Sequence, residues 1–154
     1  MKESSFKNPV INNKRALFEY EVMEKFIAGI MLTGTEVKSL RQGKANMGDA
    51  FCQFDKNDLW VKHLNISAYE KGSHFNHEPM RERKLLLKKR ELDKLKSKVK
   101  ERGFTIVPIS IFFSDRGLAK IEIGLVRGKK THDKRDSIKS REQKRELDRI
   151  MKER

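Results

Sequence analysis

One cysteine, three prolines and one tryptophan in 154 residues leave several protein classes without their raw material. A lone Cys52 cannot close an intramolecular disulfide, and its place between Phe51 and Gln53 suits a small buried or half-buried residue. No apolar run approaches the ~18 residues of a membrane span, and no apolar h-region follows the first residues. A lipidation signal and a face of bulky apolar anchors are also missing, so the sequence predicts a cytoplasmic protein with no membrane partner.

The chemistry of catalysis is thin as well. Residues 124–131, GLVRGKKT, have three residues between the glycines and a second lysine before the threonine, whereas a phosphate cradle needs four residues and then Lys followed directly by Ser or Thr. His74 and His77 lack the i, i+4 spacing of a helical zinc pair, and His63 and His132 lie far off in sequence. They read as a loop pair that contacts RNA or solvent. Without a nucleophile elbow, an acid/base pair or a metal cluster, the chain is expected to be no enzyme and to need no cofactor or metal.

What it has in excess is positive charge. Thirty-six Lys and Arg against 22 Asp and Glu leave a formal net charge of +14, which points to a polyanionic partner, RNA or DNA first.

Patterning divides the chain into a flexible start (1–13), a body (14–128) and a basic tail (129–154). Residues 15–32 alternate with a period of two through Phe18, Tyr20, Val22, Phe26, Ala28, Ile30 and Leu32. They predict a long strand or bent pair, with a bulge or kink at Gly29. Runs at 50–54 and 59–64, separated by Asp55, Lys56, Asn57 and Asp58, predict a hairpin. Residues 67–79 hold Gly72, Asn76 and Pro79 and read as loop. Leu92, Leu95 and Val99 recur at helical spacing, which predicts an amphipathic helix over about 88–102 stopped by Gly103. Two branched and aromatic runs, 104–113 and 118–126, join through a turn that ends on Gly117. Five or six strands with one clear helix and one short one (about 35–41) favour a small closed or partly open β-barrel, with an OB-like fold the natural candidate.

The tail sets eleven basic residues against six acidic ones, and its large aliphatics are only Ile138, Leu147, Ile150 and Met151. These are too few to offset ordering entropy, so the tail is expected to be unstructured alone. Ser137 or Ser140 could still cap a helix, and Leu147, Ile150 and Met151 share one helical face, from which Ile138 points away. The tail thus awaits a partner surface. At its root, Gly128 leads into Lys129 and Lys130, a double cation suited to a phosphate. His132, beside Lys130, Lys134 and Arg135, is suited to stack on an unpaired base while its neighbours hold phosphates.

The most informative stretch is 34–46, GTEVKSLRQGKAN. Thr35 can cap a short helix, Glu36 sits where the helix dipole favours an acid, and Lys38 and Arg41 share a face. Val37 and Leu40 form an apolar edge that can dock on the body. Lys38, Arg41 and Lys44 can neutralise phosphates. Glu36 has two readings open to it: it orients Arg41 or Lys44, or, the favoured one, it accepts from a base or a 2′-hydroxyl of RNA.

This stretch, with the blocks at 84–87, at Arg90, Glu91 and Leu92, and at 128–135, resembles the SsrA-binding protein family, also called small protein B. The order and spacing match from about Asn13 to the C-terminus. The resemblance implies an OB-type barrel with packed helices and a role in bacterial ribosome rescue. It implies that Gly34, Thr35, Glu36, Lys38, Ser39, Arg41, Lys44 and Asn46, joined by Lys129 and Lys130, hold the tRNA-like domain of transfer-messenger RNA. His132, Asp133, Lys134 and Arg135 would enter the ribosomal decoding centre, and Ile138, Lys139, Arg145, Ile150 and Met151 would follow in the messenger channel as a helix. Partners implied are transfer-messenger RNA, the ribosome and the elongation factor Tu complex with charged transfer-messenger RNA. A general single-strand RNA binder or RNA chaperone is the alternative, and it should show exposed aromatics on its barrel face.

Overall fold

A computed structural model describes residues 9–72, 75–101, 103–128, 144–147 and 149. Strand β1 (Ile11–Asn12) pairs with β8 (Phe104–Phe113), and the buried Asn13 then starts helix α1 (Lys14–Glu19). Asn13 caps that helix, its Oδ1 accepting from the Ala16 amide at 3.2 Å, while its Nδ2 donates to the carbonyls of Met47 at 3.1 Å and Pro108 at 2.9 Å. Strand β1 thus lies within the stretch expected to be flexible.

The expected strand over 15–32 is corrected accordingly, because its first residues are α1 and the strand proper is β2 (Tyr20–Ile30). Alternating apolar residues run across the helix–strand boundary and disguise it, and the signal that decides it is the Asn cap upstream. The irregularity of β2 falls between Val22 and Glu24, not at Gly29, which is regularly paired on both sides with Leu86 and Lys120. Gly29 serves packing instead. A Cβ built there would lie 3.3 Å from the Leu86 Cβ.

Helix α2 (Gly34–Arg41) leads to β3 (Ala45–Asn46), which pairs with β6 (Asn65–Ile66) in a small two-stranded sheet. Strands β4 (Phe51–Asp55) and β5 (Asp58–Lys62) form the expected hairpin, its turn carried by Lys56 at φ 58°. Strand β7 (Arg83–Leu86), which the sequence pattern did not reveal, pairs with both β5 and β2. Helix α3 (Lys89–Val99) is the expected amphipathic helix, followed by Gly103 at φ 91°. Strands β8 and β9 (Ala119–Gly128) are joined through a turn with Gly117 at φ 78°.

The large sheet is antiparallel throughout, and its pairings return to their start: β8–β4–β5–β7–β2–β9 and back to β8. Inside lie Phe26, Ala28, Ile30, Leu59, Val61, Leu85, Ile106, Ile111, Ile121 and Ile123, with Leu40 of α2 and Leu95 of α3 in the same core. A second, small cluster of Ala16, Val107 and Val126 seats α1. Burial of such side chains contributes roughly 1.5 to 3 kcal/mol each. No described helix is long and apolar enough to cross a membrane. In the tail, residues 144–147 and 149 are helical and exposed.

Candidate nucleic-acid interface

Helix α2 is fixed by a charge cluster that the sequence did not announce. The Glu36 carboxylate reaches back to the Thr33 amide at 2.8 Å, so Thr33, not Thr35, is the cap residue. The same oxygen accepts from Arg81 Nη2 at 2.6 Å, and the other accepts from Arg83 Nε. Glu36 and Arg83 are both fully buried. Arg83 also donates to the carbonyls of Leu64 at 2.7 Å and Pro79 at 3.1 Å, so the guanidinium ties α2 to the link between β5 and β6 and to the segment before β7. Burial alone would raise the Glu36 pKa. The bonds from Arg81, the Thr33 amide and Arg83 outweigh it and hold the group below its ordinary range.

This corrects the favoured reading of Glu36. A carboxylate with no exposed surface and both oxygens engaged cannot accept from a base or a 2′-hydroxyl, and the cations it orients are Arg81 and Arg83 rather than Arg41 or Lys44. Ser39 is likewise buried under the helix, with no hydrogen-bond partner for its Oγ, and does not face a ligand. Leu40 docks into the core as expected. Thr35 bonds His77 Nδ1 at 2.9 Å, and His77 Nε2 lies 2.8 Å from the Ile66 carbonyl. A carbonyl only accepts, so Nε2 carries the proton. His77 is thus a buried strut between α2 and the 67–80 loop, not a residue that contacts RNA or solvent; His74 lies outside the described residues.

The outward edge of α2 is cationic. Lys38 is exposed with Nζ 5.5 Å from the centre of the Tyr69 ring, and Arg41 is exposed with its guanidinium 5.7 Å from the centre of the Phe113 ring. Each ring positions a cation without neutralising it. Lys44 is half-buried and paired with Glu70 at 2.6 Å. Asn46 is exposed, its Oδ1 accepting from the Gly48 amide at 2.8 Å, and Gly34 is exposed with nothing within 4 Å of a built Cβ. The predicted set therefore separates into an inner part that builds the helix and an outer part, Gly34, Lys38, Arg41 and Asn46, that is open to a ligand, with Lys44 beside it held by Glu70.

A second surface was missed. Leu86, Gly29 and Lys120 are register partners across β7, β2 and β9, and the next outward residue of β2 is Ile27. Leu86 is 51% and Ile27 57% exposed, an apolar patch bordered by Lys120, by Glu122 with Lys25 paired to it, and by Lys84, which pairs with Asp58. The period of two was visible in the sequence, but not which face points out.

Lys129, Lys130, His132, Asp133, Lys134, Arg135, Ile138, Lys139, Ile150 and Met151 lie outside the described residues; Arg145 is exposed on the tail's helical segment. Among the described residues no group of three His, Cys, Asp or Glu could hold a metal ion. Cys52 is buried, which pushes its thiol far above the ordinary cysteine range.

A chain of net charge +14, with cations held outward on one helix, defines the class of proteins that grip polyanions. The chain belongs to the SmpB protein family, whose pattern matches residues 10–153. It is similar to the SsrA-binding protein of Cytophaga hutchinsonii, 54% identical over 144 residues that span 94% of each chain. The SsrA-binding protein of Parabacteroides distasonis is 51% identical over 152 residues, 99% of each. A chain in the solved structure described as "tmRNA-SmpB: a journey to the center of the bacterial ribosome" superposes with a TM-score of 0.69 at 50% identity, over 80% of this chain and 86% of that one.

Proposed function

We propose that this protein binds the tRNA-like domain of transfer-messenger RNA and brings it to ribosomes stalled without a sense codon, so that incomplete peptides are tagged and the ribosomes freed. The observation that carries this reading is half-identity, over four-fifths of the chain, with the protein of a tmRNA-SmpB ribosome structure. The cationic edge of α2 supports it. Lys38 and Arg41, with Lys44 and Asn46, take phosphates and sugars, and Glu36 and Ser39 serve by shaping the helix. The exposed patch of Ile27, Leu86 and Lys120 on β2, β7 and β9 is a second surface that the RNA can meet.

The cyclic pairing of six strands supports an OB-type barrel as the platform. The body then stands in for the anticodon arm that the RNA lacks. The tail of 26 residues spans ~80 Å extended or ~40 Å as a helix, lengths suited to probing an empty messenger channel. Lys129 and Lys130 hold phosphates at its root, and His132, Asp133, Lys134 and Arg135 reach the decoding centre. Ile138, Lys139, Arg145, Ile150 and Met151 line the channel-bound helix. The protein works without catalysis, in the cytoplasm, alongside elongation factor Tu carrying charged transfer-messenger RNA.

A general single-strand binder is disfavoured by one observation. Among the described residues Phe75, in a loop, is the one exposed phenylalanine, tyrosine or tryptophan, and those on the strands, Trp60 among them, are at least partly buried. The test compares binding to a transfer-messenger RNA transcript with binding to an unstructured RNA of equal length. Clear preference for the folded RNA is expected, and equal affinities would return the general binder.

A further inference from the structure

Phe75 is 91% exposed, far more than any other large hydrophobic residue among those described. Bare aromatic surface at the tip of a loose loop means little. Here the backbone beside it is clamped. The Asn76 side-chain amide makes a two-way bridge to the Tyr69 backbone, Nδ2 donating to the carbonyl at 2.7 Å and Oδ1 accepting from the amide at 3.1 Å. Asn76 Oδ1 also accepts from the His77 amide at 3.1 Å, and His77 is anchored to Thr35 and to the Ile66 carbonyl. Gly72 fits because it has no side chain: a Cβ there would lie 2.6 Å from Asn76 Nδ2. The residues that follow the exposed ring are thus tied both to Tyr69 and to the α2 side of the body.

The segment that carries the ring also carries charge of both signs, Glu70 and Glu78 as well as Lys71, and it holds a cation from α2. Tyr69, the residue that Asn76 grips, carries the Lys38 ammonium over its own ring at 5.5 Å. Lys71 is exposed nearby in sequence, and Lys44 reaches across to Glu70 at 2.6 Å. An uncovered aromatic ring next to an anchored backbone, in a segment whose Tyr69 holds the Lys38 ammonium, suits an unpaired nucleobase, the ring taking the base face and the lysine a phosphate. An apolar protein pocket would instead favour an uncharged surround.

We propose that Phe75 is an RNA-contacting residue that stacks on one unpaired base of the partner RNA, with Asn76 and His77 as positioning residues. This rests on the proposed function for the class of RNA, and adds a base contact outside the 34–46 stretch. It makes the loop a reader of unpaired structure, where the α2 edge reads only charge.

The test measures binding of the full chain and its Phe75→Ala, Phe75→Trp and Phe75→Leu variants to a transfer-messenger RNA transcript over a series of salt concentrations. Phe75→Ala should weaken binding about 5- to 150-fold, the equivalent of ~1 to 3 kcal/mol per stacked base, with the slope against salt unchanged. Phe75→Trp should bind as the parent does and Phe75→Leu should fail with Ala. The ring is exposed, so thermal unfolding of all three should match the parent. Unchanged affinity in Phe75→Ala overturns the stacking contact while the proposed function stands. Retention by Leu overturns it in favour of an apolar pocket. Failure of the parent chain to prefer this RNA refutes the functional reading instead.

Discussion

Glu36 and Arg83 face each other where neither side chain reaches solvent, joining the first turn of α2 to the start of β7 across 47 residues of chain. Removing one member of such a pair strands the other charge in the interior.

Glu36→Gln should destabilise the fold by roughly 3 to 5 kcal/mol, measured as the urea unfolding free energy at neutral pH. Joint replacement of Glu36 by Gln and Arg83 by Met should recover part of that loss. The pair also sets a pH dependence. The folded pKa of Glu36 lies below its ordinary 4.5, so its stabilisation is full above that value and is lost as pH falls through the lower folded pKa. The Gln variant should lose less stability than the parent on acidification. An equal acid response in both would place the titrating group elsewhere.

Lys38→Ala and Arg41→Ala each remove an exposed cation over a ring, which is worth roughly 0.5 to 1 kcal/mol at most to the fold. Binding to the RNA should weaken in both. The slope of log K against log salt should become shallower by about 0.7 to 0.9 for each phosphate that the variant no longer neutralises. Unchanged slopes would put both side chains off the RNA.

Leu86→Asp places a carboxylate on the exposed patch beside Gly29 and Lys120. Half-exposure of the side chain makes the urea midpoint insensitive, so a loss of RNA binding at unchanged stability is the expected pattern. Parental affinity would remove this face from the interface.

Truncation after Lys130 should leave affinity for transfer-messenger RNA within a few-fold and abolish tagging on stalled ribosomes, because binding is assigned to the body and probing to the tail. Within the tail, His132→Phe should keep much of the tagging rate and His132→Ala lose it, if the ring acts by stacking. Equal losses, with activity falling as pH rises through the histidine range, would make it a cation instead.

The β4–β5 hairpin, α3 and the β8–β9 pair were legible because each is local: a period, a turn and a stop lie within a short window. The errors come from distance. Nothing near Glu36 announces Arg81 or Arg83, and its neighbours Lys38, Arg41 and Lys44 suggested a surface carboxylate. His77 looked like loop chemistry because its partners, Thr35 and Ile66, belong to other elements. Charge told which kind of partner the chain binds. Which side of α2 is left open to such a partner required the core to be built first.

Strand β4 meets β8 in register only at Cys52 and Ile106, whereas β2–β9 and β8–β9 are long continuous ladders. A ring of strands is as hard to open as its shortest seam. Amides near Cys52 and Ile106 should therefore exchange with deuterated water sooner than those in the middle of β9, and the body should swell along that one line under mechanical or thermal stress. Lys38 and Leu86 lie on neither strand of this seam, whereas the Arg41 guanidinium rests on Phe113 at the far end of β8, so slack along that line reaches only one of these three side chains directly.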